Sequence, residues 1–311
     1  MPNYPFQLVR YEREGRLEDK NVLLHRPFAA AGNSFADDAK RFVPGEQLET
    51  AINTAIAVGV PLLITGEPGT GKTQAAYYAA YKLGLEPALH FQVKSDCSAR
   101  DLLYHFDTVR YFHDAHFSQN GAALDKAKYV EPRPLWEALA SPHPRVLLID
   151  EIDKAPRDFP NDLLHELDKM EFTVAETGEK ISAAKGMRPL VFITSNSERR
   201  LPEPFLRRCV YHHIRFDDAL VAKAVEKRRE DYAKLSDDFI KLAMQRFLAL
   251  RDHTLRKRPA TGEFLVWLRV LALAVGAYPE RLDQDLSKLP YLGVLLKDHQ
   301  DIEELGSKGR F

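Results

Sequence analysis

The run Gly66-Glu67-Pro68-Gly69-Thr70-Gly71-Lys72-Thr73 fits the pattern G-x-x-x-x-G-K-[ST] at every position. Upstream, Pro61-Leu62-Leu63-Ile64-Thr65 is a continuous apolar stretch that reads as a buried strand. Downstream, Lys72 to Lys82 is rich in Ala and Tyr and reads as a helix. Strand, glycine-rich loop and helix in that order make a phosphate-binding loop. Glycines let the backbone turn its N–H groups toward a phosphate, and the helix adds the positive end of its dipole. Lys72 can then reach β- and γ-phosphates, and the Thr73 hydroxyl can ligate Mg²⁺. The expected nucleotide-binding residues are Gly66, Glu67, Pro68, Gly69, Thr70, Gly71, Lys72, Thr73 and Gln74.

Outward from this loop, the pattern alternates strand and helix. Leu48, Ala51, Ile52, Ala55 and Ile56 recur at helical spacing, and Gly59-Val60-Pro61 ends that helix. Residues 88–93 read as a strand, and Arg145-Val146-Leu147-Leu148-Ile149-Asp150 as a parallel strand buried on both faces. A helix is expected from about Asp158 to Met170, then a β-hairpin through Phe172-Thr173-Val174 and Lys180-Ile181. Leu190-Val191-Phe192-Ile193-Thr194 and Val210 to Phe216 supply two more strands. Beyond Phe216 helical periods dominate. Ser236 before Asp237-Asp238 is a good helix start, with Ile240, Ala243, Phe247 and Leu250 on one face, and another helix begins near Thr261. The expected class is α/β: a P-loop parallel sheet sandwiched by helices over 42–216, then a small all-helical domain over 217–311. Residues 1–41 form an N-terminal extension without clear period.

Composition narrows the function classes. The 311 residues are 45% hydrophobic, which fits a globular chain, and the formal net charge of −1 gives no basic field for nucleic acid. Cys97 and Cys209 fit no C-x-x-C spacing and suit a reducing, cytoplasmic compartment. No basic segment followed by an apolar core opens the chain, and no stretch approaches 18 apolar residues, so neither a signal peptide nor a membrane span is expected. His113 and His116 have no further ligand cluster near them, and His165-Glu166 lacks the second His of H-E-x-x-H, so zinc chemistry is not expected.

Val146-Leu147-Leu148-Ile149-Asp150-Glu151 ends a buried strand in two acids. Both carboxylates then stand at the carboxyl edge of a parallel sheet, where ligands of open α/β folds bind. Asp150 would join the Mg²⁺ shell, and Glu151 would be the base that polarises the attacking water.

With Gly66–Thr73, Asp150-Glu151 and the strand ending Thr194-Ser195-Asn196 in place, the chain resembles the AAA+ ATPases. The resemblance implies an ATP hydrolase whose sensor-1 residue is Asn196. Leu201-Pro202-Glu203-Pro204-Phe205-Leu206-Arg207-Arg208-Cys209 resembles the segment bearing an arginine finger, with Arg208 favoured over Arg207 because it stands nearer the next strand. The helical region resembles a lid, in which Arg258 of Arg256-Lys257-Arg258 corresponds to the sensor-2 cation, with Lys257 close behind. Phe42-Val43-Pro44, residues 59–73 and Ser98–Asp107 resemble the MoxR branch, whose insertions correspond here to Tyr104–Pro134 and Phe172–Ile181. What the resemblance implies is a homo-oligomeric ring, usually a hexamer, that uses ATP and Mg²⁺ to remodel a protein client. In this branch the client is often a protein bearing a von Willebrand factor A domain. A P-loop phosphotransferase, a nucleotide-gated scaffold and a GTP-specific motor stay open as rival readings.

Overall fold

A computed structural model describes residues 35–117, 124–274, 282 and 285–308. Most of the expected N-terminal extension, residues 1–34, lies outside them. The described residues divide into two compact units, one spanning Asp38–Arg215 and the other made of residues 35–37 and those from Phe216 onward.

Among its described residues the first unit has nine strands in chain order: β1 Leu62–Gly66, β2 Leu89–Gln92, β3 Tyr104–Phe106, β4 Val130–Pro132, β5 Val146–Asp150, β6 Glu171–Thr173, β7 Lys180–Ser182, β8 Leu190–Ser195 and β9 Val210–Ile214. Five of them form one parallel sheet in the order β2-β5-β8-β1-β9. Burial follows that order. Every residue of β1 and β5 is buried, because each strand is paired on both sides and covered on both faces. The edge strands β2 and β9 alternate between more and less exposed residues. In register, Thr65 stands beside Ser195, Ile149 beside Ile193 and Gln92 beside Asp150. The carboxyl ends of β1, β8, β5 and β2 therefore line one edge of the sheet.

Helices close both faces. The helix Lys72–Lys82 lies against β1, β5 and β8 through Ala75, Ala76, Ala79 and Ala80, all buried. Four alanines bring helix and sheet close, and the helix fixes Lys72 and Thr73 at its first turn. The helix Glu46–Val58 buries Leu48, Ala51, Ile52 and Ala55, and ends at Gly59 with φ 67°, the left-handed conformation that glycine adopts without strain. Across the sheet, Leu63, Leu147, Ile149, Val191 and Ile193 share a core with Leu135, Leu139, Phe159, Leu163 and Leu167. The helix expected from Asp158 to Met170 is divided into Phe159–Asp162 and Leu164–Lys169. Leu163 has ψ −4°, well off the helical value, and its side chain is fully buried in the core. Met170 then ends the second piece at φ 52°, where burial of its side chain offsets a backbone cost usually left to glycine.

Two antiparallel ribbons extend from this unit, β3 with β4 and β6 with β7. Phe172 stacks on Tyr104 at 6.1 Å between ring centroids, and the Tyr104 hydroxyl accepts the Ala175 N–H at 3.0 Å. Arg100 pairs with Glu176 and lies over the Tyr104 ring. The hairpin and the inserted ribbon are thus tied to each other. The helix Thr108–Phe117 within the insertion buries none of its residues.

The second unit is helical among its described residues, with helices Asp218–Glu226, Asp237–Asp252, Thr261–Leu273, Leu292–Leu295 and His299–Lys308. Phe247 and Phe264 stack at 4.4 Å within a core that includes Tyr232, Trp267 and Leu268. Ser236 caps its helix, its Oγ accepting the Phe239 N–H at 3.2 Å. Asp301, fully buried, accepts the backbone N–H groups of Arg256 and Lys257 at 2.9 and 3.1 Å and so shapes the basic loop. No helix among the described residues is long and apolar enough to cross a membrane.

Candidate active site

The loop after β1 turns on three glycines with positive φ: Gly66 at 154°, Gly69 at 77° and Gly71 at 89°. Two of them are also closed in. A Cβ on Gly66 would stand 2.8 Å from the Ile214 carbonyl oxygen, and one on Gly71 would stand 2.7 Å from the Phe42 ring. Gly66→Ala is therefore expected to lose about 1–3 kcal/mol of stability, from strain plus backbone contact. Thermal unfolding checks this, and an unchanged Tm would show that the loop relaxes freely.

Lys72 is 7% exposed, and its Nζ donates to the carbonyl oxygens of Gly66 and Glu67, 2.9 Å each. Burial pushes its pKa down, and the nearby Asp153, Asp150 and Glu151 partly restore it. The ammonium thus lies against its own loop and faces a cluster of acids. Thr73 Oγ1 donates to Asp150 Oδ1 at 3.1 Å. Gln74 Oε1 is buried and has no hydrogen-bond partner among the described residues.

Asp150 is held by three side chains. Besides Thr73, its Oδ1 accepts the hydroxyl of Thr194 on β8, and its Oδ2 lies 3.3 Å from His90 Nε2 on β2. Burial alone would raise the Asp150 pKa; hydrogen bonds from His90, Thr194 and Thr73 outweigh it and hold the carboxyl below its ordinary value. Thr194 Oγ1 also accepts the Glu151 N–H at 2.9 Å. A single buried hydroxyl thereby fixes both ends of the Asp150-Glu151 step.

Glu151 has φ 60° and ψ 49°, a left-handed backbone in a residue with a full side chain. Its carboxylate meets Gln92 Nε2 at 2.6 Å, Lys154 Nζ at 2.6 Å and Asn196 Nδ2 at 3.4 Å. Asn196 is placed by its own backbone, whose N–H donates to the buried Asp153 at 3.1 Å. The structure brings together Lys72, Thr73, Asp150, Glu151 and Asn196.

The two arginines stand apart from that cluster in their bonding. Arg208 Nε donates to Asp168 at 2.7 Å and Nη1 to the Pro204 carbonyl at 2.9 Å. Arg207 is exposed, and its guanidinium has no partner among the described residues. Arg258 is an exposed residue of the second unit, on the loop ahead of Thr261–Leu273. Glu263 accepts the Ala260 N–H at 3.1 Å at that helix start. His90, Gln92, Asp153, Lys154 and Thr194 escape the sequence reading. A signal exists for the first two: on a strand next to β5, His90 and Gln92 are the polar residues alternating with Leu89 and Phe91.

Such an arrangement can cradle a polyphosphate in N–H groups, answer its charge with Lys72, offer Asp150 and Thr73 oxygens to a hard cation, and set an amide and a carboxylate at the reacting end. No curated protein matches the chain in sequence. Among solved structures, the chain is similar to a candidate ATPase from Cytophaga hutchinsonii, with 16% identity and TM-score 0.40 over 88% of this chain and 92% of that one. It is also similar to NtrX from Brucella abortus, crystallised with ADP, with 16% identity and TM-score 0.48 over 85% of this chain. The match spans about three fifths, 59%, of the NtrX chain. Residues 61–209 match the family model of the AAA domain, dynein-related subfamily. Over those residues, a little under half of the chain, it is similar to AAA domains, in keeping with a P-loop NTPase.

Proposed function

We propose that this chain is an AAA+ ATPase of the MoxR-like branch that works as a ring of its own copies and spends ATP turnover on remodelling or activating a partner protein. The observation behind the chemistry is the convergence of Lys72, Thr73, Asp150, Glu151 and Asn196 at the carboxyl ends of β1, β5 and β8. Gly66 to Gln74 wrap the phosphates. Lys72 exchanges its two carbonyl bonds for phosphate oxygens. Glu151 orients and deprotonates the attacking water, and Asn196 holds that water or the γ-phosphate.

Asp150 and Thr73 fit Mg²⁺, because both offer hard oxygen donors and Mg²⁺ takes few protein ligands beside phosphate and water. When bound, Mg²⁺ neutralises charge on the β- and γ-phosphates.

The finger across the subunit boundary is assigned to Arg208, next to β9, whose exposed contacts to Asp168 and Pro204 are weak enough to exchange for a phosphate. Arg258 serves as the sensor-2 cation of a lid formed by residues 217–311. The MoxR resemblance supports a client bearing a von Willebrand factor A domain.

Assembly is the test. Specific activity should rise with protein concentration as mass photometry records ATP-dependent rings. Arg208→Ala should bind ATP yet lose roughly 10²-fold in hydrolysis, as loss of one transition-state donor does. Arg207→Ala should remove only an exposed side chain and leave hydrolysis nearly unchanged. A monomer with activity flat on dilution refutes the ring, and equal losses in the two variants refute the choice between them.

A further inference from the structure

Next to the proposed metal ligand stands a relay that hydrolysis itself does not require. Tyr77, on the helix that begins at Lys72, places its hydroxyl 3.1 Å from His90 Nδ1, and the opposite ring nitrogen of His90 lies 3.3 Å from Asp150 Oδ2. The two rings meet edge to face, 6.2 Å between centroids. His90 is about one-third exposed in its side chain, while Asp150 is 9% exposed in its own.

An ionised carboxylate only accepts, so the His90 nitrogen facing Asp150 must carry the hydrogen. The other nitrogen is then free to accept, and the Tyr77 hydroxyl is the donor aimed at it. Tyr77 thereby selects one ring form, and that form points its N–H at Oδ2. Thr194 bonds Oδ1, and Thr73 lies astride both oxygens, 3.1 Å from Oδ1 and 3.3 Å from Oδ2. Thr73 has a second duty, since its oxygen is the one offered to the cation. Thr194 is committed to the backbone of Glu151 as well. His90 meets Oδ2 alone of the two oxygens, whereas Thr73 reaches Oδ2 only as the longer half of a shared contact.

We propose that His90, locked by Tyr77, is a positioning residue that orients the Asp150 carboxylate for the nucleotide-bound divalent cation. The inference rests on the ATPase reading above and adds to it an outer partner of the metal ligand, contributed by the edge strand β2. Outer partners of metal-binding carboxylates set ligand direction, and their removal weakens metal affinity by about 10–100-fold.

The test uses Mn²⁺ as the probe and the full-length Glu151→Gln protein, so that ATP stays intact. Mn²⁺ affinity of the ATP complex, read by electron paramagnetic resonance, should fall about tenfold in His90→Leu. ATP affinity in excess chelator should not change. His90→Gln, whose amide can still donate, should recover most of the loss. In the unmodified protein, ring ¹⁵N shifts should report His90 protonated on Nε2, and Tyr77→Phe should shift the ring toward a mixture. Unchanged Mn²⁺ affinity in His90→Leu overturns the proposal, as does an equal fall in metal-free ATP affinity or a ring protonated on Nδ1. If His90→Leu does not fold, the ring form in the unmodified protein decides alone. Failure of the parent Glu151→Gln protein to take up Mn²⁺ with ATP would instead strike the ATPase reading itself.

Discussion

Glu151→Gln should slow steady-state ATP hydrolysis by roughly 10³-fold, within the range for loss of a positioned base, while leaving ATP affinity nearly unchanged. The substitution keeps shape and removes charge and basicity. Its amide can still meet Gln92 and Asn196, so the backbone turn at φ 60° and the Thr194 contact to the residue 151 N–H are retained. One contact changes sign: Lys154 loses the carboxylate that now holds its pKa above the ordinary lysine value. Binding is measured by calorimetry and turnover by phosphate release. Near-normal turnover would remove Glu151 from the role of base and pass it to another group.

Lys72→Ala should lose ATP binding. Charge-assisted hydrogen bonds contribute about 1.5–3 kcal/mol each, so a cation bridging two phosphates accounts for roughly 3 kcal/mol or more. That is about a hundredfold in Kd. The variant should also fold well. In the structure Lys72 is buried against two carbonyls, its charge disfavoured by desolvation, and alanine removes that cost together with the contacts. Weakened binding with an undiminished Tm is the expected pair of results. Unchanged Mg·ATP affinity would refute the phosphate-binding assignment of the loop.

Much of the fold is legible because burial writes itself into composition. Strands β1, β5 and β8 sit inside the sheet, and each is an apolar run closed by polar residues or glycine. Gly59 and Ser236 mark helix ends through backbone geometry and hydroxyl chemistry that single residues announce. The break at Leu163 announces nothing, since it depends on how a buried leucine packs in the finished core. The site divides the same way. Lys72, Thr73, Asp150 and Glu151 are local to their motifs and readable. His90, Gln92 and Thr194 act only because parallel pairing sets β2 and β8 on either side of β5, and no spacing in the chain encodes that neighbourhood. Arg208 meets Asp168 across 40 residues, a contact equally silent in one dimension.

Strand β2 has four residues and borders the sheet on one side only. Two of its side chains, at alternate positions on one face, reach the two neighbouring acids: His90 the proposed ligand Asp150 and Gln92 the proposed base Glu151. Both acids therefore take part of their alignment from the rim of the sheet, where main-chain bonding is single-sided and local opening costs least. Peeling that short strand away from β5 would loosen Asp150 and Glu151 in one event while the alanine-packed helix kept Lys72 and Thr73 in place. Amide exchange should expose this asymmetry, with β2 opening ahead of β5, so that the gripping half of the site outlasts the cutting half.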